Sequence, residues 1–258
     1  MKNPIPSSIY GPVHSWRLGS SLGVDLLCID SICSFECVYC QLGKINRVTT
    51  TRDIFVSTEK VLQDLENSEW QAADVITFSG SGEPTLAKNL GEVIQEIKRI
   101  CAKPTIVLTN STLLNLAEVR KEISQAEKIF CKLDSWTDET LQRIDRPHPD
   151  ISLESIISGI RLLRTDFSGF LAIQTMILRS PTEFETQEFA KVLNSLEPDE
   201  VQLNLPSRPV PNKYSLETRG NMVESLQEFT RLKTISKEHL EDLRERLSKL
   251  TELPVITR

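Results

Sequence analysis

Short β-rich runs alternate with longer amphipathic stretches along most of this 258-residue chain. Parallel neighbours in a sheet need a long connection, and a helix supplies it, so the alternation predicts an α/β fold with parallel strands and right-handed crossovers. The predicted strands lie near residues 22–27, 74–79, 105–109, 128–133, 170–178 and 201–205, and the predicted helices near 58–66, 86–100, 116–124, 137–144, 153–163 and 185–196.

Six strand–helix units are fewer than a closed eight-unit barrel needs. Two architectures remain, an open doubly wound sheet and a partial barrel, and both place a ligand site at the carboxyl ends of the strands. Prolines at 206, 209 and 211 then predict a rigid covering loop, and helical patterns follow over 222–233 and 237–250. We therefore predict a core over residues 1–211 and a small C-terminal helical extension over 212–258.

The charge balance bears on the partners of the chain. Thirty basic and 36 acidic residues give a formal net charge of −6, which provides no strong signal for nucleic-acid binding. No stretch approaches the roughly 18 apolar residues that cross a bilayer, and the first residues lack an apolar signal region. We expect a cytoplasmic protein with no membrane partner.

Three of the six cysteines, Cys33, Cys37 and Cys40, lie within eight residues. Three thiolates on one loop can hold three corners of an iron–sulfur cubane or three positions of a zinc site. Because no second close pair of cysteines follows, a cluster with one open iron fits better than a closed zinc site. The alternative is a non-catalytic zinc-binding or regulatory module with a fourth ligand from elsewhere. We assign Cys101 and Cys131 to packing, and favour the core for Cys28.

A glycine-rich segment over residues 78–86, with the sequence FSGSGEPTL, follows the second predicted strand. Glycines allow the backbone to approach a ligand closely, and the carboxylate of Glu83 can accept a hydrogen bond from an ammonium group. An ordinary strand-to-helix turn, with Pro84 near the start of the helix, would show the same residues. The position at a predicted strand end favours a ligand site.

The cysteine spacing, with the aromatic Tyr39 before the last cysteine, resembles the signature of the radical S-adenosylmethionine (SAM) superfamily. The resemblance implies a partial (β/α)6 TIM-like barrel in which the three cysteines bind a 4Fe-4S cluster and SAM chelates the fourth iron. It also implies a set of residues that contact SAM. These are Tyr39 near the adenine; Gly80, Ser81, Gly82 and Glu83 at the amino group; Lys132, Asp134 and Ser135 at the ribose and carboxylate; and Asn110, Gln174 and Asn204 as further polar contacts.

The same resemblance implies an activity. A radical SAM enzyme cleaves SAM reductively to a 5′-deoxyadenosyl radical, which abstracts hydrogen from a substrate, and it takes electrons from a donor such as flavodoxin or ferredoxin. The segments 10–25, 39–43, 146–148 and 204–209 resemble a subgroup related to the wyosine-forming tRNA enzyme. This chain departs from the subgroup at Trp16, where the resemblance leads us to expect an arginine. The substrate is left open between a tRNA base, a small metabolite and a glycyl radical on a partner protein. His148 is a candidate substrate contact or proton donor, and Arg208 a candidate anion ligand.

Overall fold

The computed structural model describes residues 5–220 and 228–257. One eight-stranded sheet dominates it, with the strand order β1-β2-β5-β6-β7-β8-β9-β12, and two short ribbons pair β3 with β4 and β10 with β11. The strands are β1 (Ile9–Ser15), β2 (Gly19–Val24), β3 (Ile32–Cys33), β4 (Arg47–Val48), β5 (Val75–Phe78), β6 (Thr105–Thr109), β7 (Lys128–Lys132), β8 (Phe170–Met176), β9 (Glu200–Asn204), β10 (Val210–Pro211), β11 (Phe229–Thr230) and β12 (Val255–Ile256).

Within residues 5–220 and 228–257, seven α-helices connect and cover these strands: α1 (Thr58–Glu66), α2 (Leu90–Ile100), α3 (Ala117–Ile123), α4 (Asp138–Ile144), α5 (Leu153–Asp166), α6 (Glu183–Leu196) and α7 (Lys237–Thr251). Several begin where the sequence offers a capping side chain: Ser57, Thr137, Ser152, Thr182 and Ser236 each accept from an amide of the first turn. The predicted helix 86–100 starts later, at Leu90, because Pro84–Leu86 form a separate 3-10 turn.

The pairings confirm a mainly parallel α/β sheet. From β2 through β5, β6, β7, β8 and β9 to β12 the neighbouring strands are parallel. In the described residues β1 and β12 are the two edges of the sheet and do not pair with each other, so the barrel is partial and not closed. The six predicted strands are present, with ends that differ by a few residues.

The hairpin of β1 and β2 was not predicted. The two strands are antiparallel, with Ile9 opposite Val24 and Ser15 opposite Gly19, and the register shifts between Tyr10 and Val13. Gly11 and Pro12 lie at that shift and interrupt the alternation that would mark a strand. The turn of the hairpin lies over the inner face of the sheet, where Leu18 packs against Val75, Ile106, Phe130 and Ala172.

The C-terminal part combines a predicted helix with unpredicted strands. The predicted helix 237–250 is confirmed as α7, which packs against α6 and leads into β12. Of the other predicted helix, 222–233, residues 222–227 lie outside the described residues, and Phe229–Thr230 form β11 instead of helix, because they pair with β10. The domain boundary at residue 211 stays a prediction. None of the helices that the structure describes is long and apolar enough to cross a membrane.

Candidate active site

A cavity of about 650 Å³ lies on the inner face of the partial barrel. The inner face of the sheet, the β1–β2 hairpin, the segment after β9 and the start of α7 surround it. Its volume falls within the roughly 300–1,000 Å³ of small-molecule sites. Among the side chains predicted to contact SAM, those of Lys132, Gln174 and Asn204 line it, as does Gly80.

The cysteine loop, residues 33–40, begins at the last residue of β3, and its three cysteines are partly exposed. The Cys33 Sγ accepts hydrogen bonds from Phe35 N at 3.4 Å and from Asn110 Nδ2 at 3.5 Å. The Cys37 Sγ donates to Asp145 Oδ1 at 3.5 Å, and Cys40 N donates to Cys37 O at 3.1 Å in a tight turn. Hydrogen bonds therefore orient the thiols of Cys33 and Cys37, and the turn fixes the backbone of Cys40.

Burial raises the pKa of all three thiols, which favours their neutral form. The charge of Cys40 would raise the pKa of Cys33, and the charges of Cys33 and Cys40 would raise that of Cys37. Three thiols within electrostatic reach of one another can ionise together only when a cationic centre compensates them, so the donor set suits a metal cluster.

In the described part of the chain, no group of three or more His, Cys, Asp or Glu side chains is arranged to hold a metal ion. Thiolates on separate corners of a 4Fe-4S cubane stand further apart than thiolates on a single ion. That result concerns the ligands of a single metal ion, and it therefore does not bear on three thiolates at separate corners of a cluster.

The glycine-rich segment lies directly beside the cysteine loop. Ile32 N donates to Ser81 O at 3.1 Å, and Glu83 N donates to Ile32 O at 3.1 Å, so the two loops form a short parallel bridge. A Cβ on Gly82 would lie 1.6 Å from Ile32 O, so only glycine permits this approach. The bridge fixes the position of Cys33 relative to the segment predicted to bind SAM.

The side chains of Ser81 and Glu83 form hydrogen bonds to other residues within the protein. Glu83, which is buried, accepts hydrogen bonds from Thr85 N and Oγ1, Thr109 Oγ1 and Asn110 N at 2.6–3.1 Å. Burial raises the pKa of Glu83, although these hydrogen bonds act to lower it. Ser81 donates from N at 3.0 Å and from Oγ at 2.5 Å to Asp25 Oδ2. Both side chains lie outside the cavity lining, so they hold the backbone of the segment in place.

Tyr39 belongs to a buried polar network behind the cavity. Its hydroxyl donates to Asp134 and, at 3.3 Å, to Asp145 Oδ1. Lys132 Nζ lies 4.5 Å from the centre of the Tyr39 ring and 3.0 Å from Asp134 Oδ2, while Ser135 Oγ donates to Asp145 Oδ2 at 3.2 Å. Burial raises the pKa of Asp145. The pKa of Lys132 is also raised, because the nearby carboxylate of Asp134 outweighs the lowering effect of burial.

The remaining predicted residues divide between the cavity and its surroundings. Gln174 Nε2 donates to Gln202 Oε1 at 2.8 Å, and Asn204 Oδ1 accepts from Arg17 at 3.0 Å. Asn110 lies at the cysteine loop, where its Nδ2 also donates to Ser34 Oγ at 2.8 Å. His148 contacts the same loop through its backbone, since its N donates to Ser34 O at 2.8 Å. Asp134, Ser135, Asn110 and Tyr39 do not line the cavity.

The other cysteines are buried. Cys28 is 1% exposed, burial raises its pKa to about 11, and its Sγ donates to Pro6 O at 3.5 Å. Cys101 and Cys131 lie in the hydrophobic core between the sheet and the helices. The three are thus packed away from the cavity lining.

Sequence reasoning missed a buried ion pair beside the glycine-rich segment. Arg219 Nη1 donates to Asp25 Oδ2 at 2.8 Å, and the two side chains are 9% and 1% exposed. Arg219 also lies 5.0 Å from the ring of Tyr10, whose hydroxyl is 2.8 Å from Ser79 Oγ. Burial raises the pKa of Tyr10 to about 12. The position of Asp25 directly after a strand was a usable signal, but no local pattern marks Arg219.

Comparison with known proteins gives consistent results. The pattern of the Radical SAM superfamily matches residues 29–193. The chain is 45% identical over 251 residues to the UPF0026 protein slr1464 of Synechocystis, covering 96% of this chain and 95% of that protein. It is 37% identical over 214 residues to the UPF0026 protein MJ1312 of Methanocaldococcus jannaschii, covering 80% and 65%.

Among solved structures, Streptococcus suis SuiB bound to S-adenosylmethionine superposes with a TM-score of 0.62 at 13% identity. The match covers 89% of this chain, which spans about half of the SuiB chain, 48%. At this identity the likeness concerns the fold alone.

Proposed function

The chain belongs to the radical SAM superfamily of enzymes, and within it to the UPF0026 family, and from that premise we propose that it binds a 4Fe-4S cluster through Cys33, Cys37 and Cys40. When bound, the cluster supplies the electron that cleaves SAM to methionine and a 5′-deoxyadenosyl radical, which removes a hydrogen atom from the substrate. The observation that carries the proposal is the backbone bridge between Ile32, next to Cys33, and Gly82 of the glycine-rich segment, whose Gly80 lines the cavity.

The proposed work of the cysteine loop is to present three thiolates in a fixed arrangement. The amide of Phe35 and the side chain of Asn110 both donate to Cys33 Sγ. Such donors favour the anionic sulfur that a metal needs, and they orient it as outer contacts orient metal ligands generally. The bridge from Ile32 to Gly82 then sets the distance from the cluster to the segment that receives the SAM amino group.

SAM is proposed to occupy the cavity beside Gly80, Lys132, Gln174 and Asn204, which already line it. The ammonium group of Lys132 suits the SAM carboxylate, and the amide side chains suit its hydroxyl and amino groups. Ser81 and Glu83 act through the backbone they hold, and Tyr39, Asp134 and Ser135 support Lys132 from behind. This refines the roles implied by resemblance, in which all of these residues contact SAM.

Apolar side chains complete the same cavity. Leu108, Phe130 and Met176 lie on the inner face of the sheet beside the polar residues. A surrounding of this kind excludes water from reactive intermediates. The arrangement therefore serves a reaction that must be protected from solvent.

The electron donor is proposed to be a small redox protein such as flavodoxin or ferredoxin, and the substrate an organic molecule that reaches the cavity. The link to the wyosine-forming tRNA enzyme stays a prediction, as does a tRNA base as the substrate. Fold likeness alone does not transfer a substrate.

Anaerobic reconstitution with iron and sulfide, followed by reduction in the presence of SAM, tests the proposed function. We expect about four irons per chain and formation of 5′-deoxyadenosine. Cys37→Ala should abolish both, whereas Cys101→Ala, which changes a buried packing cysteine, should retain both. Protein that takes up only zinc and never cleaves SAM would instead favour the zinc-module alternative.

A further inference from the structure

The buried ion pair of Asp25 and Arg219 links the predicted C-terminal extension to the carboxyl end of β2. Asp25 directly follows β2, and Arg219 lies on the 3-10 helix Leu216–Gly220. Arg219 Nη1 donates to Asp25 Oδ2 at 2.8 Å, and Arg219 Nη2 donates to Ser7 O at 2.7 Å. A residue of the extension is therefore anchored beside the segment that is proposed to receive SAM.

Asp25 connects this ion pair with the glycine-rich segment. Its Oδ2, the oxygen that Arg219 contacts, also accepts hydrogen bonds from Ser81 N at 3.0 Å and from Ser81 Oγ at 2.5 Å. A Cβ on Gly80 would lie 2.3 Å from Asp25 Cγ, so the carboxyl group also packs against the backbone of Gly80. Of these three neighbours in the described chain, Gly80 lines the cavity, whereas Asp25 and Ser81 do not. The carboxyl group of Asp25 is thus one contact removed from the cavity.

Arg219 reaches the other side of the segment through Tyr10. The guanidinium carbon of Arg219 lies 5.0 Å from the centre of the Tyr10 ring, and the Tyr10 hydroxyl is 2.8 Å from Ser79 Oγ. Arg219 therefore contacts partners of both Ser79 and Ser81, the two residues that flank Gly80. Fixing both neighbours fixes the backbone of Gly80 between them.

We propose that Arg219 is a positioning residue for SAM, which acts through Asp25 to hold the glycine-rich segment in the conformation that binds SAM. The inference rests on the proposed function, because it assigns a role in SAM binding. Asp25 and Arg219 both lie outside residues 29–193, the part of the chain that matches the superfamily. The superfamily match therefore does not supply this ion pair.

The carboxylate of Asp25 depends on a cationic partner because it is buried. Its other donors, Ser81 N and Oγ and, at 3.0 Å, Leu27 N, are neutral. A buried carboxylate that loses its cationic partner moves toward solvent or takes up a proton. Either change weakens the hydrogen bonds from Ser81 and releases the segment.

Release of the segment should affect SAM binding more than the later chemical step. A released segment occupies several conformations, and the apparent dissociation constant rises in inverse proportion to the fraction of molecules in the binding conformation. Saturating SAM restores that conformation, so the KM for SAM rises while kcat changes little. A loss of global stability alone would reduce the amount of folded enzyme and leave the KM unchanged.

A direct contact with SAM would give a different pattern, since Arg219 itself lines the cavity. An ion pair between Arg219 and the SAM carboxylate would be lost in Arg219→Met but retained in Asp25→Asn, which leaves the guanidinium in place. Positioning through Asp25 predicts that both variants weaken SAM binding, because each removes one half of the same ion pair.

Equilibrium titration of the reconstituted anaerobic holoenzyme with S-adenosylhomocysteine, together with SAM-cleavage kinetics, tests the proposal. We expect Arg219→Met and Asp25→Asn each to raise the Kd of S-adenosylhomocysteine and the KM for SAM about tenfold, with kcat within about threefold of the parent. The double variant should bind at most about threefold more weakly than either single variant, because both substitutions act through one contact. Arg219→Lys retains the charge and should bind within about threefold of the parent.

Arg120→Met is the matched control. Arg120 lies on α3 with its side chain 11% exposed, and its Nε is 2.6 Å from Asp166 Oδ2 at the end of α5. The substitution therefore also removes a largely buried arginine from an ion pair, but at a position outside the described lining of the cavity. It should lower the Tm and leave both the Kd of S-adenosylhomocysteine and the KM for SAM within about twofold of the parent.

Several results would overturn the positioning role. They are an unchanged Kd in either folded single variant, effects that multiply in the double variant, a lower kcat with an unchanged KM, binding by Arg219→Lys as weak as by Arg219→Met, and an equal loss of binding in Arg120→Met. If Arg219→Met does not fold, Asp25→Asn, which preserves the shape of the side chain, decides by the same Kd and KM criteria.

The two proposals fail separately. Cleavage of SAM with a KM that neither Arg219→Met nor Asp25→Asn changes would refute the positioning role and leave the proposed function intact. Holoenzyme that binds S-adenosylhomocysteine in the predicted order of variants but never forms 5′-deoxyadenosine would refute the proposed function.

Discussion

Replacing Gly82 by alanine should separate the cysteine loop from the glycine-rich segment. The added Cβ would lie 1.6 Å from Ile32 O and 2.5 Å from Ile32 C, well inside any tolerated contact, and both are backbone atoms that no side-chain rotation can move away. The two hydrogen bonds of the bridge, Ile32 N to Ser81 O and Glu83 N to Ile32 O, must lengthen or break. At about 1 kcal/mol each, their loss lowers the free energy of unfolding by about 2 kcal/mol.

That change corresponds to a fall in Tm of about 4–8 °C for a domain of this size. The effect on activity should be larger than the effect on stability, because displacing a reacting group by about 1 Å can cost about 100-fold in rate. We expect Gly82→Ala to form 5′-deoxyadenosine at least tenfold more slowly at a temperature where it is folded. The assay is anaerobic SAM cleavage with a chemical reductant, alongside thermal unfolding.

Gly220→Ala is the matched control. The nearest atom to a Cβ at Gly220 is Tyr10 Cδ2 at 3.9 Å, an ordinary contact. This variant should retain both the Tm and the rate of the parent. If Gly82→Ala cleaves SAM within twofold of the parent, the bridge does not position the site and the reasoning is refuted.

Three further substitutions test the fold around the site. Arg219→Met leaves the buried carboxylate of Asp25 without its ion-pair partner, so we expect a loss of about 3 kcal/mol in the free energy of unfolding; a loss below 1 kcal/mol in denaturant titration would contradict this. The hydrogen bond from Arg179 lowers the pKa of Glu185 to about 2, so its stabilisation is present above the unfolded pKa near 4.5 and is lost as the pH falls through about 2. Glu185→Gln should therefore cost up to about 1 kcal/mol at pH 6, less near pH 3 and only a small part of it at pH 2, and a constant difference across that range would refute the linkage. Phe189→Ala should cost about 3–5 kcal/mol, because the side chain is 2% exposed in the core; a Tm unchanged from the parent would contradict its packing.

The parallel sheet was predictable because buried parallel strands separated by amphipathic helices leave a strong periodic pattern. Strand β1 was not, since Gly11 and Pro12 break the alternation at the irregular register of the hairpin. Strand β12 contains two residues, too few to show a period, and it is recognisable only from its pairing with β9. Tertiary pairing, and not local propensity, determines both edges of the sheet.

In the candidate site, too, residues that form local sequence patterns were predictable and residues brought together by the fold were not. The spacing of Cys33, Cys37 and Cys40 and the glycines at 80 and 82 are local patterns, so sequence reasoning found them. The pair of Asp25 and Arg219 joins positions 194 residues apart, and no local pattern connects such positions. Sequence reasoning also could not foresee that the Glu83 carboxylate accepts hydrogen bonds from Thr109 and Asn110 at the end of β6.

The central claim is that three cysteines hold a cluster with one iron available to SAM. The electron paramagnetic resonance spectrum of the reduced, reconstituted protein, recorded before and after addition of SAM, tests it most directly. The account predicts the signal of a reduced 4Fe-4S cluster that changes when SAM is added, because SAM binds the open iron. A cluster signal that SAM leaves unchanged, or no cluster signal in protein with all three cysteines intact, would contradict it.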